Sequence, residues 1–98
     1  MNKYERLIED LEKDGIGKMK CFGNSMLPII KSGSLLTFQK KDTYDVGDIV
    51  CCKIRGRYID AHKITKTDTN KGYMIANNRG YENGLSKRIY GYVTHIDN

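Results

Sequence analysis

Few side chains in this sequence are suited to attack a carbonyl or to move a proton near neutral pH. Ser25 stands in the string Gly23-Asn24-Ser25-Met26-Leu27-Pro28, histidines occupy positions 62 and 95, and cysteines occupy 21, 51 and 52. Gly23 can take backbone angles closed to residues with a side chain. Pro28, the only proline, fixes its own φ and pushes Leu27 towards extended geometry. Ser25 is thus held on a short stiff segment, where its hydroxyl can be aimed and nearby backbone N–H groups can face a substrate oxygen. The same string also reads as a structural turn whose serine bonds its own backbone. A serine hydroxyl becomes a useful nucleophile only when a neighbouring base takes its proton. His95 falls in the last strand-like run and reads as a surface residue. His62 ends the run Tyr58-Ile59-Asp60-Ala61-His62, where a histidine without further context reads as structural.

Four ordered segments change that balance. Gly-x-Ser-Met-x-Pro at 23–28 resembles the nucleophile motif of the superfamily that joins signal peptidases to the self-cleaving SOS-repressor (LexA-like) serine peptidases. Val46-Gly47-Asp48-Ile49-Val50 is similar to that family's "vGDiV" strand opening, and Ala61-His62-Lys63-Ile64 to its base-carrying segment. Ala76-Asn77-Asn78-Arg79 with Tyr90-Gly91-Tyr92-Val93 resembles its closing "GDNR … GyV" box. The resemblance runs over roughly residues 22–93. It implies that Ser25 is the nucleophile, supported by Gly23, Met26 and Pro28, with backbone N–H groups of Asn24 and Ser25 as oxyanion donors.

At the base position the bacterial signal peptidases and the SOS repressors carry a lysine. Here the dipeptide is His62-Lys63, which resembles the archaeal and endoplasmic-reticulum signal peptidases, where histidine takes the role. Lys63 is the rival base. On an extended strand it points to the face opposite His62, and it would need deep burial to lower its pKa, whereas an imidazole already titrates near neutrality. The histidine-type enzymes orient their base with an acid shortly after the "GDN" box. That box has lost its Gly and Asp here, and the acidic candidates are Glu82 and Asp60. Without an orienting partner the imidazole would be misaligned.

The positioning scaffold must be small. The chain has 98 residues, 39% of them hydrophobic and 30% charged, which bounds it to one globular domain, 1–98. No apolar run approaches the roughly 20 residues that cross a bilayer, and the N-terminus lacks a signal-peptide apolar region. A soluble, cytoplasmic protein is expected. Cys51 and Cys52 are strand neighbours facing opposite ways, so they are poorly placed to pair. Cys21 reads as a small core residue rather than a nucleophile. No Cys/His spacing suggests a metal, and no cofactor is expected. The net charge of +5 comes from scattered basic residues; Lys53, Arg55 and Arg57 alternate as on a solvated strand face. No DNA-binding module is expected, since the residues before the motif leave room for one helix only.

That helix is expected at 3–13. Tyr4, Leu7, Ile8 and Leu11 form one apolar stripe, Asn2 with Glu5 suits a capping box, and Gly15 suits a stop. Its polar face is more acidic than basic, which favours packing on the chain's own sheet or on a second subunit, a homodimer, over anionic lipid. From residue 17 to 96 the pattern turns to short strands, near 17–22, 34–39, 48–55, 57–66, 72–76 and 88–95, with a tight turn at Arg55-Gly56. The expected fold is mainly β (α+β), a small bent antiparallel or mixed sheet of the LexA/signal peptidase type with one amphipathic helix. The segments 18–22 and 34–38 would flank an extended peptide by strand addition. The expected function is a soluble serine endopeptidase-like domain that cuts a peptide or protein substrate through Ser25 and His62. The alternative is an inactive peptidase fold that holds a peptide or partner protein without cutting it. No Ala-Gly pair is present for repressor-type self-cleavage.

Overall fold

The computed structural model describes residues 1–68 and 70–98. Helix α1 spans Lys3–Asp14. Asn2 Oδ1 accepts the Glu5 amide at 2.8 Å, and Glu5 Oε1 accepts the Asn2 amide at 3.2 Å. Two of the amides that a helix start leaves without partners are thereby satisfied. Gly15, at φ 75°, ends the helix with its N–H on Leu11 O at 2.9 Å, a left-handed stop that glycine reaches without steric cost. Leu7 and Leu11 are buried beneath α1, so the helix packs on the chain's own sheet. Tyr4 stacks on Tyr58 with ring centroids 4.5 Å apart.

Seven strands follow: β1 (Ile16–Cys21), β2 (Ser34–Gln39), β3 (Ile49–Ile54), β4 (Arg57–Asp68), β5 (Gly72–Ala76), β6 (Glu82–Ser86) and β7 (Arg88–Asp97). They form one sheet in the order β1-β2-β7-β3-β4-β5-β6. Every neighbouring pair is antiparallel. The fold is therefore mainly β with one helix, as the strand spacing suggested, and the sheet is antiparallel rather than mixed. Arg55 (φ 51°) and Gly56 (φ 78°) join β3 to β4, the paired positive angles that match hairpin twist. Arg55 thus belongs to the turn and shares no strand face with Lys53 and Arg57.

Two other expectations change. Strand β6 lies in a stretch, Glu-Asn-Gly-Leu-Ser, with no alternating apolar signal; it exists because β5 offers it a pairing edge. Segment 34–38 is interior, paired on one side with β1 and on the other with β7. It has no free edge for a peptide, whereas β1 does.

Strand β3 is buried on both faces. Cys51 joins Leu7, Leu11, Leu36 and Phe38 in one apolar cluster, while Cys52 joins Tyr44, Val50, Ile64 and Ile75 in the other. Adjacent strand residues point to opposite faces, so the sheet itself separates the two thiols. All three cysteines are free and buried.

Helix α1 sits close because glycines lie beneath it. A Cβ added to Gly91 of β7 would stand 3.0 Å from Gln39 O and 3.1 Å from Leu11 Cδ1. Gly91→Ala should therefore destabilise the fold by about 1–3 kcal/mol through overpacking. Leu11→Ala should cost about 2–5 kcal/mol through the cavity it leaves. Urea denaturation midpoints measure both, and an unchanged midpoint for Gly91→Ala would contradict the close seating.

Candidate active site

The loop that carries Ser25 leaves β1 and returns to β2, and it is closed at its neck. Gly33 donates its amide to Cys21 O at 2.8 Å, and Gly23 donates its amide to Ser32 Oγ at 3.0 Å. Gly23 holds φ 110°, which places it where a side chain would be strained. Met26 and Ile30 are each 4% exposed and anchor the loop in the cluster beneath α1. The Ile30 amide returns to Met26 O at 3.0 Å. Leu27, Pro28 and Ile29 face outward, and the Leu27–Pro28 bond is cis. The motif thus resolves into a Gly hinge, a buried Met anchor and an exposed Pro, with Ser25 half-buried between them.

The "GDN"-like box clamps this loop from the far side of the sheet. The Asn78 amide donates to Ser25 O at 3.0 Å, and Asn78 Nδ2 donates to Leu27 O at 2.8 Å. Lys63 Nζ donates to Asn78 Oδ1 at 3.2 Å. Lys63 is thereby engaged in holding the clamp. Asn77 Oδ1 accepts the amides of Arg79 and Tyr81 at 2.9 and 3.0 Å, which shapes the turn.

His62 approaches from β4. Ile59 pairs with Cys52 and His62 with Val50, so Asp60 and Ala61 together oppose one β3 residue. An extra residue of this kind bends a strand and re-aims its side chains. Ser25 Oγ and His62 Nε2 are 2.9 Å apart, a hydrogen-bond separation suited to a nucleophile and its base. The second ring nitrogen, Nδ1, lies 2.7 Å from Asn83 Oδ1.

Asn83 was not among the residues singled out from the sequence, where Glu82 was the orienting candidate. Glu82 is exposed and pairs with Ala76, whereas Asn83 is the extra residue of a register shift between Ala76–Glu82 and Ile75–Gly84. The shift turns Asn83, and not its acidic neighbour, towards the imidazole. Asp60 is occupied elsewhere: Tyr4 Oη donates to its Oδ1, and Lys3 Nζ lies 3.3 Å from its Oδ2. His95 lies exposed on β7, paired with Thr37 and away from this site. The amides of Asn24 and Ser25 have no acceptor among the described residues.

A cleft of about 30 Å³ opens at this point, lined by Cys21, Gly23, Ser25, Asp60, Ala61 and His62. A larger concavity, about 580 Å³, lies elsewhere along Tyr44, Asp45, Gly72 and Lys87 and contains neither Ser25 nor His62.

Burial pushes the His62 imidazole below its usual 6.5, while its hydrogen bond to Asn83 and the charge of Asp60 act in the opposite direction. The ring is therefore neutral at pH 7, the form that accepts a proton. Burial, with Asp60 nearby, pushes the Cys21 thiol up to about 12. A thiol that stays protonated is a poor nucleophile, whereas the Ser25 hydroxyl has an imidazole nitrogen 2.9 Å away.

The family model described as Peptidase S24-like matches residues 3–91, a span that holds Ser25, His62, Asn78 and Asn83. No curated protein matches the chain.

Because burial outweighs the two opposing influences, the His62 ring should titrate with a midpoint below 6.5. The ring nitrogen shifts of the ¹⁵N-labelled protein, followed by NMR from pH 4 to 9, measure it. A midpoint above the usual value would mean that the Asn83 hydrogen bond and the charge of Asp60 together outweigh burial.

Proposed function

The chain belongs to the Peptidase S24-like family, and from that premise we propose that residues 1–98 form one serine peptidase-like domain that cleaves a peptide or protein substrate. Ser25 is the nucleophile and His62 the general base. The observation that carries this reading is the 2.9 Å separation between Ser25 Oγ and His62 Nε2. The histidine at this position supports reading the site as similar to that of the histidine-type signal peptidases of the wider superfamily.

The chemistry follows from the groups present. Ser25 Oγ attacks the substrate carbonyl carbon while its proton passes to His62 Nε2. The oxygen that gains charge is received by the Asn24 and Ser25 amides, which have no other acceptor among the described residues. The imidazolium then gives its proton to the leaving amine, and an acyl-enzyme forms. Water activated by the same imidazole releases the acyl group.

The substrate is an extended peptide that adds to the free edge of β1, the strand that leads directly into the Ser25 loop. Lys20 O on β1 accepts from Lys3 Nζ at 3.0 Å. A peptide pairing at that carbonyl displaces the Lys3 ammonium. The cleft beside Ser25, about 30 Å³, is the volume of about one water molecule. It favours a small side chain on the residue whose carbonyl is attacked.

A fluorophosphonate probe should label the protein at Ser25, and Ser25→Ala should abolish labelling with the fold intact, as read by mass spectrometry and circular dichroism. Equal labelling of both proteins would eliminate the assignment. His62→Ala should slow labelling by about 10²- to 10⁴-fold, the range of a general base. Lys63→Ala should slow it only a few-fold, by loosening Asn78. A larger loss at Lys63 than at His62 would make lysine the base. If Ser25 stays unlabelled while peptides bind along β1, the domain is a binding module.

A further inference from the structure

The imidazole of His62 is held at both nitrogens. Nε2 lies 2.9 Å from Ser25 Oγ, and Nδ1 lies 2.7 Å from Asn83 Oδ1. A neutral imidazole has one N–H and one bare nitrogen. The Asn83 carbonyl oxygen can only accept, so it requires the proton at Nδ1 and leaves Nε2 bare towards the serine hydroxyl. Resting on the reading of Ser25 and His62 as nucleophile and base, we propose that Asn83 is the positioning residue of this site. Its uncharged side chain fixes the ring in the tautomer and orientation that receive the Ser25 proton.

Three observations support this role. Asn83 is the extra residue of the β6 register shift, so the strand is locally re-aimed at the residue that meets the ring. Gly84 follows at φ 131°, a backbone angle that favours glycine and lets the strand resume after the shift. The neighbouring acids are otherwise engaged or turned away. Asp60, two residues before His62 on β4, is bonded by Tyr4 and Lys3 of α1. Glu82 of β6 is exposed.

An amide and a carboxylate at this position differ in one respect. Both orient the ring, but a carboxylate also stabilises the imidazolium. The groups that face or flank the ring are Asp60 on β4, Cys21 on β1, Lys3 and Tyr4 of α1 acting through Asp60, and Glu82 beside Asn83 on β6; Lys63 is turned to Asn78. None of them places a carboxylate on Nδ1. With asparagine there, the base stays neutral at lower pH than it would beside an aspartate.

The test uses the full chain with ¹⁵N-labelled histidine. Above its titration midpoint, wild-type His62 should show a protonated Nδ1 and a bare Nε2 in its nitrogen shifts and couplings. Asn83→Ala should shift this towards a mixed population and slow fluorophosphonate labelling of Ser25 by roughly 10- to 100-fold, less than full loss of a base. Asn83→Asp should restore the tautomer and much of the rate at high pH, while its midpoint and the acidic limb of its labelling profile rise by about one pH unit or more. A residue that merely stabilised β6 would lower the melting temperature without moving tautomer or midpoint, and that result would overturn the proposal. Wild-type His62 protonated at Nε2 would also overturn it. If the tautomer responds as expected but wild-type Ser25 never labels, the positioning role stands and the peptidase reading falls.

Discussion

The curl of one antiparallel sheet is the constraint on which the site depends. Ser25 follows the edge strand β1, whereas His62 lies on β4, four steps away in the strand order. At about 4.8 Å per step, a flat sheet would separate those two strands by roughly 19 Å. The side chains instead meet at 2.9 Å, so the sheet must coil and the Ser25 loop must reach across its open side. Register shifts occur in every pairing except β1 with β2. Each adds local twist and bend, and together they turn a ribbon into a half-closed surface.

Coiling alone would leave the serine loop unsupported. Its support comes from two sides that are remote in the chain. Met26 and Ile30 sink into the cluster beneath α1, and the Asn78 amide and side chain hold the carbonyls of Ser25 and Leu27. Lys63 completes the clamp by bonding Asn78. One dipeptide on β4 therefore serves the site in two ways, His62 towards the hydroxyl and Lys63 towards the loop that presents it. Strand alternation is what divides those tasks.

The electrostatics fit the same arrangement. Burial keeps the imidazole neutral, while Asp60 is tied to the first turn of α1 by Lys3 and Tyr4. Lys3 and Tyr4 of the helix thus fix the position of the acid whose charge acts against burial at the imidazole. Burial likewise keeps the three thiols protonated, which leaves the hydroxyl of Ser25 as the group with a neutral base beside it.

Local chemistry was legible in the sequence wherever neighbours along the chain decide the outcome. Asn2 with Glu5, Gly15 and Arg55-Gly56 each specify a cap or a turn through their own backbone angles and short-range hydrogen bonds, and all three occur as read. The helix stripe and six of the seven strands were also visible, because residue type and period carry them, and the family resemblance singled out Ser25 with a downstream histidine. Strand β6 was not, since Glu-Asn-Gly-Leu-Ser becomes a strand only through its partner β5. The exchange of Glu82 for Asn83 at the imidazole was equally hidden. Which of two adjacent residues faces inward depends on a one-residue register shift, and that shift follows from the packing of whole strands rather than from the residues it re-aims. The interior place of β2, which removes it as a peptide-binding edge, was set by β7 arriving from the other end of the chain. Chain neighbours thus determined the caps, turns and candidate chemistry. Tertiary structure decided which side chains meet, because contact across a coiled sheet depends on register and closure that no local segment encodes.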